Sequence, residues 1–360
     1  SLRFFGPGHS GSASLKFYGG DFCYRYRCLY SPSQANPERI ETLMRKIALE
    51  EHFNGPGFEK YLSAVAREFD PAVLAAVEKL LPEFDEKRLQ VMDACEIEIA
   101  VLSQTAPGVQ QETDTGKATR AACSVNDFLA AQIARHPKRY RGFACVALQD
   151  PDQAARELER CVKDLGFVGA LVNGHTCGTY LDHPSFQPFW EKLVDLQVPL
   201  YLHPGLLYDE PHMFSGRREL SGATWSWTCE TATHALRLVF GGVFEKFPQA
   251  KVILGHMGET LPFELWRLDS RAQTTSAGRA MKHPPSEYIR KNIVVTTSGV
   301  CANGPLLCSL LELGEDSVMF STDFPYEDAL VAARFIEEAP ISREQREKVC
   351  FRTAERLLRL

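Results

Sequence analysis

Five residues able to bind a metal ion follow short apolar runs that lie far apart in the chain. They are Glu50 and His52 in ALEEHF, His203 in PLYLHP, His256 in LGHMGE and Asp323 in FSTDFP. Glu50 and His52 are two apart, so on an extended strand they face the same side, and Glu51 faces the other. Imidazole and carboxylate groups that meet at one place form a divalent-metal site. The pattern therefore predicts a metal centre, provided that the fold brings the strand ends together.

The ligand types favour a hard cation. Two carboxylates with imidazole and no thiolate suit Mn²⁺ or Mg²⁺, and we expect Mn²⁺. Zn²⁺ is the second candidate, because it also binds imidazole and carboxylate. Any one of these residues alone is also explained as a structural residue, so the prediction depends on their joint recurrence at strand ends.

A carboxylate follows His256 by three residues. Glu259 can accept the ring N–H of His256, which would fix the tautomer and raise the basicity of the imidazole. The alternative is that Glu259 caps a helix that begins near Thr260.

Eight short apolar segments predict strands that are buried on both faces, since they are rich in β-branched residues and lack polar alternation. These segments are 46–49, 97–103, 140–147, 168–173, 198–203, 251–255, 291–298 and 317–322. Helical stretches separate them, at 118–136, 151–164, 184–195, 232–246, 303–313 and 342–359. Repeated strand–helix alternation predicts an α/β protein with a (β/α)8 TIM barrel. A doubly wound open sheet is the alternative, because periodicity does not show closure.

Two loop insertions interrupt the repeat. Residues 54–84 follow strand 1 and residues 204–230 follow strand 5. Both leave the face at which active sites of such barrels lie. We expect them to cover a pocket and exclude water, or to pack against a second subunit.

Composition excludes several classes of protein. The net charge is −6 and no basic run occurs, which argues against nucleic acid as a partner. No apolar stretch approaches the roughly 18 residues of a membrane helix, so no membrane partner is expected. The 11 cysteines include no CxxC pair. We interpret them as thiols in a reducing compartment, and predict a cytoplasmic protein.

The first 43 residues differ from the rest. They are rich in Gly, Ser and aromatic residues and show neither helical nor strand periodicity. We interpret residues 1–43 as an extension outside the fold, with Met44 as the natural start and 44–360 as the barrel.

Seven segments carry a resemblance to a known family. They are KIALEEHF, LQDP, LGFVGALVNGHT, PLYLHP, ETATHALRL, VILGHMGE and FSTDFPYE. From about residue 44 to 360 the chain resembles the amidohydrolase superfamily, in the branch of aminocarboxymuconate-semialdehyde decarboxylase. More narrowly it resembles the ortho-hydroxybenzoate decarboxylases that act on γ-resorcylate, 2,3-dihydroxybenzoate or 5-carboxyvanillate. These motifs are specific to the family but discriminate substrates poorly.

The resemblance implies roles for individual residues. Glu50, His203 and Asp323 would ligate the metal, and His52 sits where a further ligand or metal-adjacent group is found. His256 and Glu259 match a polar catalytic pair beside the metal. Distant amidohydrolases open with His-x-His, whereas this chain has Glu50-x-His52, which marks the hydroxybenzoate branch.

The implied reaction is non-oxidative decarboxylation of an ortho-hydroxybenzoic acid of the γ-resorcylate or 5-carboxyvanillate type, giving CO2 and a phenol. We therefore expect a metal-dependent carbon–carbon lyase of aromatic degradation, as a homodimer or homotetramer. Asp323 would protonate the carbon that bears the carboxyl group, and His256 with Glu259 would hold or move protons near the phenol oxygen. The alternative is a metal-dependent hydrolase or hydratase of a lactone or dicarboxylate on the same scaffold.

Three further residues are candidates for contact with the aromatic acid. Asn173 ends the fourth predicted strand, and Tyr326 follows the segment of Asp323. Arg267 lies on the helix after the sixth strand, and an arginine can form a bidentate pair with a carboxylate. Each has a plain alternative: a loop-capping Asn, a core aromatic, and a surface ion pair with Asp269 or Glu264. Whether Arg267 would act in its own chain or a neighbour's stays open.

Overall fold

The computed structural model describes residues 44–63, 66, 69–209 and 211–360. The predicted extension over residues 1–43 lies outside the described residues. None of the described helices is long and apolar enough to span a membrane.

Eight parallel strands form one sheet in the order β1 to β8. Their bounds are β1 Lys46–Phe53, β2 Ile97–Gln104, β3 Tyr140–Cys145, β4 Gly169–Asn173, β5 Leu200–His203, β6 Val252–Leu254, β7 Ile293–Thr296 and β8 Val318–Met319. A parallel bridge between Glu51 and Phe324 brings the first strand beside the end of the last. The sheet thus curls into a nearly closed barrel, as the strand–helix alternation predicted, and the open doubly wound alternative is wrong.

Helices cover the outside of this barrel. Their bounds are α1 Glu59–Leu62, α2 Pro71–Leu80, α3 Glu86–Ala94, α4 Thr115–Arg135, α5 Pro151–Lys163, α6 Gln187–Leu196, α7 Ser226–Phe240, α8 Val243–Lys246, α9 His256–Glu259, α10 Leu261–Ala272, α11 Ser276–Ala280, α12 Pro285–Asn292, α13 Asn303–Leu313, α14 Ala329–Glu338, α15 Arg343–Glu347 and α16 Thr353–Leu358. Two hydrophobic layers result. One lies between strands and helices, and the other fills the barrel with side chains such as Ile47, Leu49 and Met319.

The first strand is longer than predicted and is irregular. It continues through Phe53, so Glu50 and His52 lie within it rather than after it. Between Ala48 and Glu51 the pairing with β2 shifts, because three steps on β1 match two on β2. One extra residue is thus accommodated as a β-bulge, a device that re-aims side chains near active sites.

The last strand is shorter than the predicted 317–322. Only Val318–Met319 pair with β7. Beyond them Ser321 bonds to the side chain of Thr297. Several helices lie outside the six predicted stretches, among them α2, α3, α12 and α14. The eight residues of α12 carry too few apolar positions to establish a helical period.

Candidate metal centre

Four of the predicted residues meet at the carboxyl-terminal mouth of the barrel. Glu50, His52, His203 and Asp323 each offer one ligand atom, and these atoms lie within 4.8 Å of one another. Nε2 of His203 is 3.2 Å from Oε1 of Glu50. Nε2 of His52 is 3.2 Å from Oδ1 of Asp323. The fold thus gathers donors from β1, β5 and the segment after β8, although they are distant in sequence.

Glu50 is held with one oxygen turned to this meeting point. Its Oε2 accepts hydrogen bonds from the Tyr201 hydroxyl and from Ser298 Oγ. Its Oε1 has no hydrogen-bond partner among the described residues. Burial raises the pKa of Glu50, but the imidazoles of His256, His203 and His52 outweigh burial and hold that pKa well below its usual range. Glu50 is therefore an ionised, oriented carboxylate.

The two histidines turn Nε2 toward the same point. Nδ1 of His203 lies 2.8 Å from the Pro204 carbonyl oxygen. A carbonyl only accepts, so Nδ1 carries a proton and Nε2 is the atom that faces the donor cluster. His52 is fully buried, and burial lowers its pKa. A metal would bind each ring through Nε2, in place of a proton.

This donor set fits a divalent cation. Oε1 of Glu50 and Nε2 of His52 are buried without a hydrogen-bond partner among the described residues. Such groups are costly unless something satisfies them, and a bound cation would satisfy both. Two carboxylates and two imidazoles without a thiolate match the preference of Mn²⁺ and, less closely, of Zn²⁺.

Asp323 faces both the donor cluster and open space. Its side chain is 14% exposed, whereas that of Glu50 is fully buried. Its backbone has φ +66, a left-handed conformation that non-glycine residues adopt when the surroundings hold them there. Burial raises the pKa of Asp323, but the His256 and His52 imidazoles outweigh burial, so that the pKa lies below its usual value. Asp323 can therefore reach both a metal and a bound molecule.

His256 lies beside the four donors, paired with Glu259. Its Nδ1 is 2.7 Å from Oε1 of Glu259, and its Nε2 is 3.7 Å from Oδ2 of Asp323. Burial lowers the pKa of His256, but Glu259 and Glu50 outweigh burial and raise it well above its usual value. The other oxygen of Glu259, Oε2, has no hydrogen-bond partner among the described residues, so Glu259 does not cap α10.

A cavity of about 1090 Å³ opens onto this centre. His203, His256, Asp323 and Tyr326 line its inner end. Four aromatic residues line its walls, three of them from segments predicted as insertions: Phe69, Trp225, Trp227 and Phe263. No Lys or Arg occurs among the described residues that line it. The cavity therefore offers apolar walls to a ring, with its polar groups gathered at the metal centre.

The three predicted substrate contacts are placed differently. Tyr326 lines the cavity, its ring centroid lies 5.6 Å from that of His52, and its hydroxyl is 2.5 Å from Thr105 Oγ1. Asn173 ends β4 but is buried away from the cavity lining. Arg267 is exposed on α10 and does not line the cavity. The alternative ion pair of Arg267 with Asp269 or Glu264 does not occur among the described residues, and both oxygens of Asp269 accept from Ser286.

Several residues that hold the four donor side chains in place were not predicted from the sequence. Tyr201 stands two positions before His203, so period-2 geometry could have placed it inside the barrel. Ser298 carried no signal of its own. Arg88, fully buried on α3, donates from Nη2 to the carbonyl oxygen of His52 at 2.6 Å. That contact links α3 to β1, and no spacing of residues in the sequence could predict it.

Comparison with known proteins gives a consistent picture. The amidohydrolase family profile matches residues 70–360. A γ-resorcylate decarboxylase of Polaromonas sp. (strain JS666) is 42% identical over 324 residues, covering 88% of this chain and 98% of the relative.

Two solved structures superpose closely. A dihydroxybenzoic acid decarboxylase from Polaromonas sp. JS666, with manganese and the inhibitor 2-nitroresorcinol, has a TM-score of 0.83 and 41% identity, covering 88% of this chain and 98% of its own. A 5-carboxyvanillate decarboxylase from Novosphingobium aromaticivorans, with manganese and 4-hydroxy-3-methoxy-5-nitrobenzoic acid, has a TM-score of 0.82 and 32% identity, covering 88% of this chain and 96% of its own.

Proposed function

The chain belongs to the amidohydrolase family, and from that premise we propose that it is a manganese-dependent decarboxylase of an ortho-hydroxybenzoic acid. The observation that carries the proposal is the meeting of Glu50, His52, His203 and Asp323, with ligand atoms within 4.8 Å of one another at the end of an apolar cavity. A γ-resorcylate substrate is favoured over 5-carboxyvanillate, because identity is 42% to the γ-resorcylate enzyme and 32% to the other.

The four donors would hold the cation. Bound there, Mn²⁺ would act as a Lewis acid toward the carboxylate and ortho-phenolate oxygens of the substrate. Binding to the cation would also orient the aromatic ring of the substrate. Tyr326 and Phe69, whose rings are stacked with centroids 5.6 Å apart, would pack against the substrate ring.

Asp323 is the proposed proton donor to the ring. It would take up the phenolic proton of the substrate and deliver it to the carbon that bears the carboxyl group. The carbon–carboxyl bond then breaks, its electron pair restores the aromatic ring, and CO2 leaves. His256, held by Glu259, would return a proton to the phenolate oxygen before the product departs.

The test is an assay of CO2 release and phenol formation. The Mn²⁺-loaded enzyme should convert 2,6-dihydroxybenzoate to resorcinol faster than it converts 5-carboxyvanillate, and should not hydrolyse lactones. Asp323→Asn, with Mn²⁺ content verified, should lose about 100-fold or more in kcat, the usual contribution of a positioned acid. Lactone hydrolysis without CO2 release would establish the hydrolase alternative instead.

An apolar surface beside the cavity supports a homodimer. Phe263 and Trp266 on α10 are 79% and 80% exposed, and Leu311 on α13 is 84% exposed. Phe263 and Leu311 also line the cavity, so its wall is open on this side. We propose that a second copy covers this surface and completes the cavity, because patches of this kind mark interfaces.

Dimer formation is testable by sedimentation. Trp266→Ser with Leu311→Ser should shift the protein toward monomer, whereas Val331→Ser, at a residue 53% exposed on α14, should not. A monomeric wild-type protein would contradict the proposal. We also propose a cytoplasmic location, which the free thiols of the nine described cysteines support.

A further inference from the structure

The barrel closes at its first and last strands by an unusual route. Consecutive strands pair through backbone ladders, but residues 320–323, which carry Asp323, belong to no strand. One backbone hydrogen bond, from His52 N to the Phe324 carbonyl oxygen at 2.7 Å, joins β1 to the chain beyond them. On the side that faces β1, side-chain contacts therefore supply the hydrogen bonds to the residues just before Asp323.

Glu51 supplies most of those side-chain contacts. Its Oε1 accepts from the Thr322 backbone N at 3.0 Å, and the Thr322 hydroxyl lies 2.9 Å and 2.8 Å from its two oxygens. The Ser321 hydroxyl accepts from the Glu50 backbone N at 2.6 Å and lies 3.3 Å from Oε1 of Glu51. One carboxylate thus binds both residues that precede Asp323 and, through Ser321, the backbone of Glu50.

The position of Glu51 follows from the alternation of side chains at the end of β1. Glu50 and His52 face the metal centre, so Glu51 between them faces the wall of the barrel, where it is 4% exposed. Arg88 reaches the same region and donates to the carbonyl oxygen of His52. Its guanidinium lies 4.8 Å from the Phe324 ring centroid. A buried carboxyl group that meets several hydrogen-bond donors is a specific arrangement, because a buried polar group without partners would be costly.

We infer that Glu51 is a positioning residue that joins the two halves of the metal centre. Its hydrogen bonds to Thr322 fix the Asp323 carboxylate relative to the two donors on β1. Because it concerns the spacing of the proposed ligands, the inference rests on the proposed function.

The expected consequence is a loss of metal affinity. Groups that hydrogen-bond to metal ligands and their backbone commonly contribute about 10- to 100-fold to affinity. Glu51→Leu keeps a similar volume but removes every acceptor, so its Mn²⁺ dissociation constant should rise by about that factor. Glu51→Gln keeps one oxygen for the Thr322 N–H and should lie closer to wild type. Thr322→Val keeps Glu51 and the side-chain volume, and should weaken binding by about fivefold.

Glu157 offers a matched control. It is 8% exposed on α5 and accepts from Asn126 Nδ2 at 2.8 Å and from Arg160, in the outer layer of the fold. Glu157→Leu therefore removes a buried, hydrogen-bonded carboxylate from another site. A purely structural role for Glu51 would lower the thermal midpoint in both variants and leave Mn²⁺ binding alone.

The experiment titrates metal-free full-length protein with Mn²⁺ and follows the electron paramagnetic resonance signal of free Mn²⁺, with circular dichroism to verify folding. Glu51→Leu should bind about tenfold or more weakly, and Glu157→Leu within about twofold of wild type. Wild-type affinity in folded Glu51→Leu would overturn the inference. If Glu51→Leu does not fold, Thr322→Val decides, and wild-type affinity there overturns the inference equally. A wild-type protein that fails to bind Mn²⁺ defeats the proposed function itself.

Discussion

Replacing Tyr201 by phenylalanine tests how the Glu50 carboxylate is held. Tyr201 is fully buried on β5, and its hydroxyl donates to Oε2 of Glu50 while lying 2.9 Å from Thr296 Oγ1. Burial and the adjacent Glu50 raise the pKa of Tyr201 well above its usual value, so the phenol keeps its proton and stays a donor. The variant removes one oxygen atom and leaves the packing of the ring unchanged.

The size of the effect follows from the charge of the acceptor. A hydrogen bond to a charged group contributes about 1.5–3 kcal/mol, which is about 10- to 150-fold in a dissociation constant at about 1.4 kcal/mol per tenfold. Without the Tyr201 hydroxyl, Ser298 alone donates to Oε2 of Glu50, so the carboxylate turns Oε1 away from the donor cluster more easily and takes up a proton more readily. The Mn²⁺ dissociation constant should therefore rise by about 10- to 100-fold, and by more as the pH falls, because protons then compete with the metal.

Isothermal titration calorimetry with Mn²⁺ at several pH values measures this effect. Tyr140→Phe is the matched control, because Tyr140 is also fully buried and its hydroxyl donates to a neutral acceptor, the Phe84 carbonyl oxygen. Tyr140→Phe should lose about 1 kcal/mol of unfolding free energy and Tyr201→Phe about 1.5–3 kcal/mol, and only Tyr201→Phe should lose metal affinity. A folded Tyr201→Phe that binds Mn²⁺ like wild type would show that Tyr201 does not orient a metal-binding Glu50.

Three further predictions follow from burial and close contacts. In Gly255→Ala the added Cβ would lie 2.5 Å from Oε2 of Glu50, so Mn²⁺ affinity measured by calorimetry should fall by at least about tenfold. Gly304→Ala, whose added Cβ would have nothing within 4 Å, should bind Mn²⁺ with wild-type affinity. Equal binding by both variants would contradict a role for the Gly255–Glu50 contact. Burial lowers the pKa of His234 to about 3 from 6.5. Acid therefore protonates this residue in the unfolded chain first, and the free energy of unfolding should fall as the pH drops from 6.5 toward 3. His234→Gln should make the free energy of unfolding, measured by urea titration, depend less on pH in this range, and an unchanged dependence would refute the role of His234. Burial raises the pKa of Glu230 to about 8 from 4.5, so the folded state keeps a proton that the unfolded state releases, and stability should fall as the pH rises through that window. Glu230→Gln should remove this loss, and a variant that still loses stability there would place its origin elsewhere.

The grouping of Glu50, His52, His203 and Asp323 could be predicted from the sequence, because it depends on where each of them stands relative to a strand. Polar residues at the carboxyl ends of buried parallel strands share one face of a barrel whatever the helices between them contain. The resemblance of segments such as VILGHMGE added the pairing of His256 with Glu259, which the structure shows at 2.7 Å. Strand bounds were less readable. The predicted first strand ended at residue 49, because polarity at residues 50–52 looked like a strand end.

The sequence by itself determined the alternation of strands and helices, and hence that Glu50, His203 and Asp323 would share one mouth. Only the tertiary structure decided how each is held: the bulge in β1, the Tyr201 hydrogen bond to Glu50, and the contacts of Glu51 across the barrel seam. It also placed Asn173 and Arg267 away from the cavity lining. The physical reason is the distance along the sequence between the residues in contact. Periodicity reflects neighbours a few positions apart, whereas Glu51 and Thr322 are 271 positions apart, and contacts of that kind form only when the whole barrel closes.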